Sequence, residues 1–78
     1  MIKITKLQSV ETEKGFIKVG TKVLWVNGSP EELDGEIIGI RRIGKTWIEV
    51  TFKQMYGDRK QHEYIRSLGV SNIVKILK

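Results

Sequence analysis

Short stretches in which apolar and polar residues alternate recur along this chain, and glycine-containing segments separate them. The alternation is seen in "IKITKL" at residues 2–7 and in "IEVTFK" at 48–53, and "GEIIGIRRI" at 35–43 is a run rich in β-branched residues. A period of two residues is typical of half-buried strands, and no segment sustains the 3.6-residue period of a helix. The sequence therefore predicts an all-β fold, a small antiparallel barrel of five to six strands.

Glycine and polar residues between these stretches predict the turns. Gly44 and Lys45 form the expected tight hairpin, because glycine adopts a positive φ angle without steric cost. "QMYGDRK" predicts a second turn, and "NGSPEELDGE" predicts a surface loop with one helical turn at most, before a strand that starts near Gly35. "RSLGVSN" is too short for a full helix and suits one short 3-10 turn ahead of a final strand, "IVKIL".

The length of the chain limits its core. Residues 1–78 are expected to form a single domain, in which 19–77 make the barrel and 1–18 add an N-terminal strand and turn. No cysteine is present, so neither a disulfide nor a thiolate metal site supplements the packing. The composition, with 40% hydrophobic and 29% charged residues, is that of a folded domain rather than of a disordered chain.

The N-terminus does not look like a targeting segment. "MIKITKLQSV" alternates in polarity and lacks the apolar run of a signal peptide. No window approaches the roughly 20 apolar residues of a membrane span. We therefore expect a cytoplasmic protein with no membrane partner.

Positive charge is concentrated in the second half of the chain. The formal net charge is +5, but residues 1–40 have five basic and six acidic groups, whereas 41–78 have nine basic and three acidic ones. A basic surface attracts polyanions such as nucleic acid. The second half is therefore where we expect a binding surface.

The order of these segments resembles the Tudor and KOW group of SH3-like barrels. In that group a Gly-x-x-Val start leads into a strand, a Gly-x-Val/Ile-x-x-Val strand follows, and the next strand contains Val-x-Phe. The matching positions here are Gly20 with Val23, Gly35 with Ile37 and Ile40, and Val50 with Phe52. The resemblance covers residues 19–77, and the chain looks especially like small barrels of bacterial transcription-associated proteins and of some DNA helicase C-termini. It implies a partner that is nucleic acid, RNA polymerase or a ribosomal component, and some Tudor barrels hold methylated side chains in aromatic cages.

Two registers are open for the hairpin that contains the adjacent arginines. If Gly44 and Lys45 alone form the turn, Arg42 faces Trp47, and the core side takes in Arg41 together with Ile37, Gly39, Ile48, Val50 and Phe52. If the loop also includes Ile43, Arg41 faces Trp47, and the core takes in Ile38, Ile40, Ile48 and Val50. The second register buries no charge and is preferred.

Either register places an arginine across from Trp47 on the outer face of the sheet. An arginine over an indole forms a flat, positive platform that suits a base or a phosphate backbone. Arginine and tryptophan side chains on strands can also pack over an exposed sheet face without binding any ligand, and this structural interpretation stays open. The predicted nucleic-acid-binding residues are Arg41, Arg42, Lys45, Trp47, Lys53, Arg59 and Lys60.

Other side chains give weaker signals. His62 is the only histidine, so a zinc site is not expected, and the acidic stretch at Glu31, Glu32, Asp34 and Glu36 lacks the spacing of an EF-hand loop. Ser67 and Ser71 form no recognisable triad with that histidine, and we expect neither an enzyme nor a cofactor or small-molecule substrate. Whether Trp25, Trp47, Tyr56 and Tyr64 form an aromatic cage is left open, with Trp25 the first choice for burial.

These features predict a non-enzymatic nucleic-acid-binding barrel with a basic, tryptophan-containing face. The alternative is a protein-interaction module that docks on a larger machine such as RNA polymerase through an acidic or edge-strand surface. A small inhibitor of such a machine is disfavoured by the positive charge balance.

Overall fold

Residues 2–77, the part of the chain that the structure, a computed structural model, describes, form eight β-strands. The fold is all-β and every strand pair is antiparallel, as the alternation predicts. In chain order the elements are β1 (Ile4–Leu7), β2 (Ser9–Thr12), β3 (Gly15–Lys18), β4 (Lys22–Trp25), β5 (Leu33–Ile43), β6 (Trp47–Tyr56), β7 (His62–Gly69), the 3-10 turn Val70–Asn72 and β8 (Ile73–Ile76).

The all-β prediction is confirmed, but the main sheet is open and does not close into a barrel. Its strand order is β7-β6-β5-β4-β8, β1 pairs with β5 beyond the end of β4, and β2 and β3 form a separate hairpin. Closure would require β7 to pair with β8, but the 3-10 turn leads the chain to the far side of β4, where β8 is only four residues long. Ile17 of the β2–β3 hairpin is fully buried in the core, so packing by this hairpin takes the place of closure. The six-stranded sheet matches the predicted strand number, whereas the hairpin was not foreseen.

A bulge in β5 reverses which residues of that strand face the core. The pairing with β6 shifts between Ile37 and Gly39, so Ile37 lies opposite Phe52 while Ile40 lies opposite Val50. Both isoleucines are buried, and Ile38 at the bulge is exposed. The expectation that Ile38 is buried is wrong, because the extra residue shifts the alternation by one position, so that Ile37 and Ile40 face the core although they are three residues apart.

The core is built from both halves of the chain. Its fully or almost fully buried residues are Ile17, Val23, Trp25, Ile37, Ile40, Val50, Phe52 and Ile73. This confirms the predicted burial of Trp25 and Val50, and Val23 and Phe52 are buried with them, whereas Ile48 and Ile76 are half-buried at the periphery.

An aromatic stack occupies the centre of this core. The rings of Trp25 and Phe52 lie nearly parallel with centroids 4.8 Å apart, and Tyr64 stacks on the other side of the indole at 6.1 Å. The tyrosine hydroxyl accepts a hydrogen bond from the Asn27 side-chain amide at 2.6 Å. Gly35 leaves room for the stack, because a Cβ atom there would lie 2.5 Å from the indole nitrogen of Trp25.

Several predicted turns are confirmed. Gly57 begins the β6–β7 turn with φ +99°, and Val70–Asn72 form the 3-10 turn. Residues 26–32 form an irregular loop with no helical turn, and β5 begins at Leu33, two residues earlier than expected. No helix in residues 2–77 is long and apolar enough to cross a membrane.

The aromatic stack makes Phe52 a sensitive position for stability. Phe52→Ala removes a fully buried ring, and we expect it to lower the free energy of unfolding by about 3–5 kcal/mol. Phe16→Ala is the matched control: that ring is 61% exposed, and its loss should change stability by no more than about 0.5 kcal/mol. Urea denaturation of the two variants gives the comparison, and equal losses would show that the core has been wrongly assigned.

Candidate nucleic-acid interface

The β5–β6 hairpin turns through three residues, 44–46, and both predicted registers are therefore wrong. Ile43 pairs with Trp47, Arg42 with Ile48 and Arg41 with Glu49. Gly44 has the positive φ angle, +68°, that the prediction assigned to it. The observed register sets two apolar residues opposite each other and gives Arg41 an acidic partner, whereas either predicted register would have faced an arginine with Trp47.

Strand β1 adds two lysines to this end of the sheet. Lys6 pairs with Arg41, Ile4 pairs with Ile43, and the Gly44 amide donates a hydrogen bond to the Lys3 carbonyl at 2.8 Å. The antiparallel contact between β1 and the end of β5 thus gathers five cations. We call this cluster the basic end: Lys3, Lys6, Arg41, Arg42 and Lys45.

The basic end accounts for most of the excess charge of the protein. Among residues 3–6 and 41–49 the only acidic residue is Glu49, so the cluster has a formal charge of +4, against +5 for the whole chain. Lys3 and Lys6 were missed because residues 1–40 have a balanced charge when taken as a block. The signal that could have found them is the strand pattern of "IKITKL", because a strand there must pair with another strand of the sheet.

Trp47 projects from the outer face of the sheet within this cluster. Its side chain is 52% exposed, and the far edge of its indole lies over Gly69 of β7, where a Cβ atom would be 2.6 Å from Cη2. Ile4, Ile43 and Trp47 form a row across three adjacent strands, and Ile4 is also largely exposed. The row is a shallow apolar strip that is bordered by Lys6 and Arg41 on the same face.

Arg41 is held by an ion pair. Its Nε donates to Glu49 Oε1 at 2.9 Å and a second guanidinium nitrogen contacts the same oxygen. Within residues 2–77 this is the only salt bridge. The predicted stacking of an arginine on Trp47 is not seen among the described residues, since the guanidinium of Arg41 reaches across to its partner Glu49 on β6.

The remaining predicted cations lie elsewhere. Lys53 is six residues along β6 from Trp47, about 20 Å at the rise of a strand, and Arg59 and Lys60 are in the turn beyond it. Lys53 and Lys60 line an open depression of about 400 Å³, together with Lys22. Asp34 and Glu36 also line it, and their carboxylates offset the positive charge of the lysines. The structure therefore brings together Arg41, Arg42, Lys45 and Trp47 and separates them from Lys53, Arg59 and Lys60.

The four aromatic residues considered for a cage lie apart. Trp25 is buried in the core stack with Tyr64, and Trp47 and Tyr56 are at opposite ends of β6. The Tyr56 ring lies beside exposed His62, with centroids 5.2 Å apart. These positions cannot enclose one cationic side chain. Nor do three histidine or carboxylate side chains of residues 2–77 come together in a group that could hold a metal ion.

No protein family, curated protein or solved structure matches this chain.

The contact between Trp47 and Gly69 sets the position of the exposed indole. Gly69 has extended backbone angles, φ −67° and ψ 156°, which alanine also adopts, so Gly69→Ala should fold but displace the ring. Gly39→Ala is the control, because its new Cβ would meet Thr51 only at ordinary contact distances of 3.6–3.7 Å. In amide-correlated NMR spectra the Trp47 indole resonance should move in Gly69→Ala and stay in place in Gly39→Ala. An unmoved resonance in Gly69→Ala would rule out the contact.

Proposed function

We propose that the protein is a non-enzymatic nucleic-acid-binding module that binds single-stranded DNA or RNA at the basic end. The observation that supports this most is the pairing of β1 with β5, which joins Lys3 and Lys6 to the arginines around an exposed tryptophan. The site is Lys3, Lys6, Arg41, Arg42, Lys45 and Trp47. It omits Lys53, Arg59 and Lys60, which lie at the other end of the sheet.

Cations at the basic end are arranged around the sheet rather than in one plane. Lys6 and Arg41 share the outer face with Trp47, Arg42 lies on the opposite face at the exposed end of β5, and Lys45 is in the turn. A phosphate backbone that passes over the end of the sheet can contact cations on both faces. Phosphate contacts of this kind supply most of the affinity in non-specific binding.

The apolar strip favours a single strand over a duplex. A half-exposed indole offers a surface on which an unpaired base can stack, and base stacking on an aromatic side chain contributes about 1–3 kcal/mol. Bases in a duplex are already stacked and present only their edges in the grooves. Exposed Ile4, which pairs with Ile43, lengthens the apolar strip, so that the sugar or a neighbouring base can contact it.

The resemblance to SH3-like barrels of the Tudor and KOW type supports the same class of function. Strands β4 to β7, the 3-10 turn and β8 occur in the order from which the resemblance was drawn. We propose that the main sheet is an open relative of that group, in which β1 and the β2–β3 hairpin are additions. Members of the group bind nucleic acid or the machines that act on it, and the excess positive charge here favours nucleic acid.

Salt dependence separates the contribution of charge from that of stacking. On single strands each phosphate contact gives a slope of about −0.7 in log K against log salt concentration, so contacts from the four cations outside the ion pair predict a slope of about −3. Arg42→Ala should lower the affinity and flatten the slope by about 0.7. Trp47→Ala should weaken binding by about 1–3 kcal/mol with little change in slope, because stacking releases no counterions. Fluorescence anisotropy with labelled oligonucleotides measures both quantities.

Arg59→Ala is the matched control, since Arg59 is an exposed arginine at the far end of the sheet. It should leave the slope and the affinity for single strands nearly unchanged. An Arg59→Ala effect equal to that of Arg42→Ala would move the site to the β6–β7 turn. No binding of DNA or RNA at low salt would contradict the proposal and favour docking of the basic end on an acidic protein surface, such as that of RNA polymerase.

The ion pair predicts one variant that binds more tightly. Glu49→Gln keeps the size of the side chain but removes its charge, so Arg41 becomes available to a phosphate. The affinity for single strands should rise, and the salt slope should steepen by up to about 0.7. Glu63→Gln, on the same face but toward the far end of β7, is the control. Weaker binding by Glu49→Gln would mean that the pair holds Arg41 in its binding position rather than competing for it.

A further inference from the structure

Strand β7 leaves one edge of the sheet unpaired. It is eight residues long and pairs with β6 alone, through eight consecutive partners without a register shift. No backbone hydrogen bond within residues 2–77 reaches its outer edge. Five of its residues are exposed: His62, Glu63, Ile65, Arg66 and Ser67.

The other edges of the sheet are protected in ways that β7 is not. Strand β1 and strand β8 are four residues each and contain Lys6 and Lys75, and the register of β8 with β4 is interrupted between Leu24 and Trp25. Short length, lysines and bulges are the devices by which proteins prevent edge-to-edge pairing. Strand β7 is long and regular and contains neither lysine nor proline, and it presents Ile65 at 49% exposure. Its two charged residues, Glu63 and Arg66, are of opposite sign, so β7 is the edge of this sheet that is least protected against pairing with another strand.

We propose that the strand it accepts is β7 of a second copy, so that two sheets join across a two-fold axis into one continuous sheet. In an antiparallel pair related by a two-fold axis perpendicular to the sheet, a residue at the centre lies opposite itself and the faces of the two sheets coincide. The middle positions of β7 are Ile65 and Arg66. A centre at Arg66 would oppose two like charges, which is destabilising, so the axis passes between the two copies of Ile65.

Side chains along this register are compatible with their partners. Ile65 packs on its own copy, Glu63 faces Ser67, and Tyr64 faces Arg66, a pair that allows a cation–π contact. His62 faces Leu68, and no two charges of the same sign are opposed. The most exposed apolar side chain of β7 is thereby covered, and no part of the basic end is blocked.

Dimerisation would make the protein bivalent. Trp47 is six residues along β6 from the position that pairs with Ile65, so the two basic ends would be separated by about 40 Å along the strand direction. Two sites on one dimer raise the apparent affinity for a strand long enough to reach both. The dimer itself does not depend on the proposed function and is tested without nucleic acid.

The absence of cysteine makes directed cross-linking a clean test. Ile65→Cys places the two thiols opposite each other at the axis. In Glu63→Cys the two thiols lie four residues apart along the strands, about 13 Å. That distance exceeds the Cβ separation of about 3.5–4.5 Å that a disulfide needs. Both positions are exposed on the same face of the same strand, so neither variant should disturb folding. Under mild oxidation Ile65→Cys should become a disulfide-linked dimer and Glu63→Cys should stay monomeric.

Sedimentation equilibrium of the unmodified protein completes the test. Its average mass should rise with concentration from the 9.0 kDa of a monomer toward twice that value, and Ile65→Lys should abolish the rise. A mass that stays monomeric at all concentrations would overturn the proposal, as would a dimer that survives Ile65→Lys. Equal cross-linking of Ile65→Cys and Glu63→Cys would also overturn it, because it would indicate random collision or another register.

Discussion

The bend of β5 at its bulge is the constraint on which the rest of the structure depends. This strand of eleven residues pairs with β4 along its first half, with β1 along its second half and with β6 on both sides of the bulge. The shift at Ile38 turns Ile37 and Ile40 to the same face, so both halves contribute to one core. Without the extra residue, one half of the strand would expose its isoleucine, and the small core would lose a full side chain.

The same strand also assembles the candidate site. Its second half holds Arg41 and Arg42 and provides the edge on which β1 brings in Lys6 and Lys3. The opposite face of the sheet packs against the core, which includes the stack of Trp25 on Phe52. The two tryptophans therefore have different environments: Trp25 is buried and stabilises the fold, whereas Trp47 is exposed at the surface. The cations of the basic end lie at the solvent-exposed end of the sheet, so they keep their hydration in the folded protein.

Local features of the fold could be predicted from the sequence, and non-local ones could not. Alternation and β-branched runs identified the strands of the main sheet, and Gly57 and the segment around Val70 identified two of their connections, because these signals lie within a few residues of the structure they specify. The register of the hairpin could not be predicted, since a one-residue difference in the turn changes every partner and the bulge at Ile38 leaves no clear mark in the sequence. The pairing of Lys6 with Arg41 joins residues far apart in the chain, and the polar stretch after β1 concealed the hairpin that buries Ile17.

We propose that nucleic acid binds at the end of the sheet where β1, β5 and β6 meet. The most direct test is an amide-correlated NMR titration of the isotope-labelled protein with a short single-stranded oligonucleotide at low salt. We predict shifts at residues 3–6, at 41–47 with the Trp47 indole, and at Gly69 beneath it, while residues 57–61 at the far turn remain in place. Shifts confined to 57–61 and Lys53, or no shifts at all, would contradict the account.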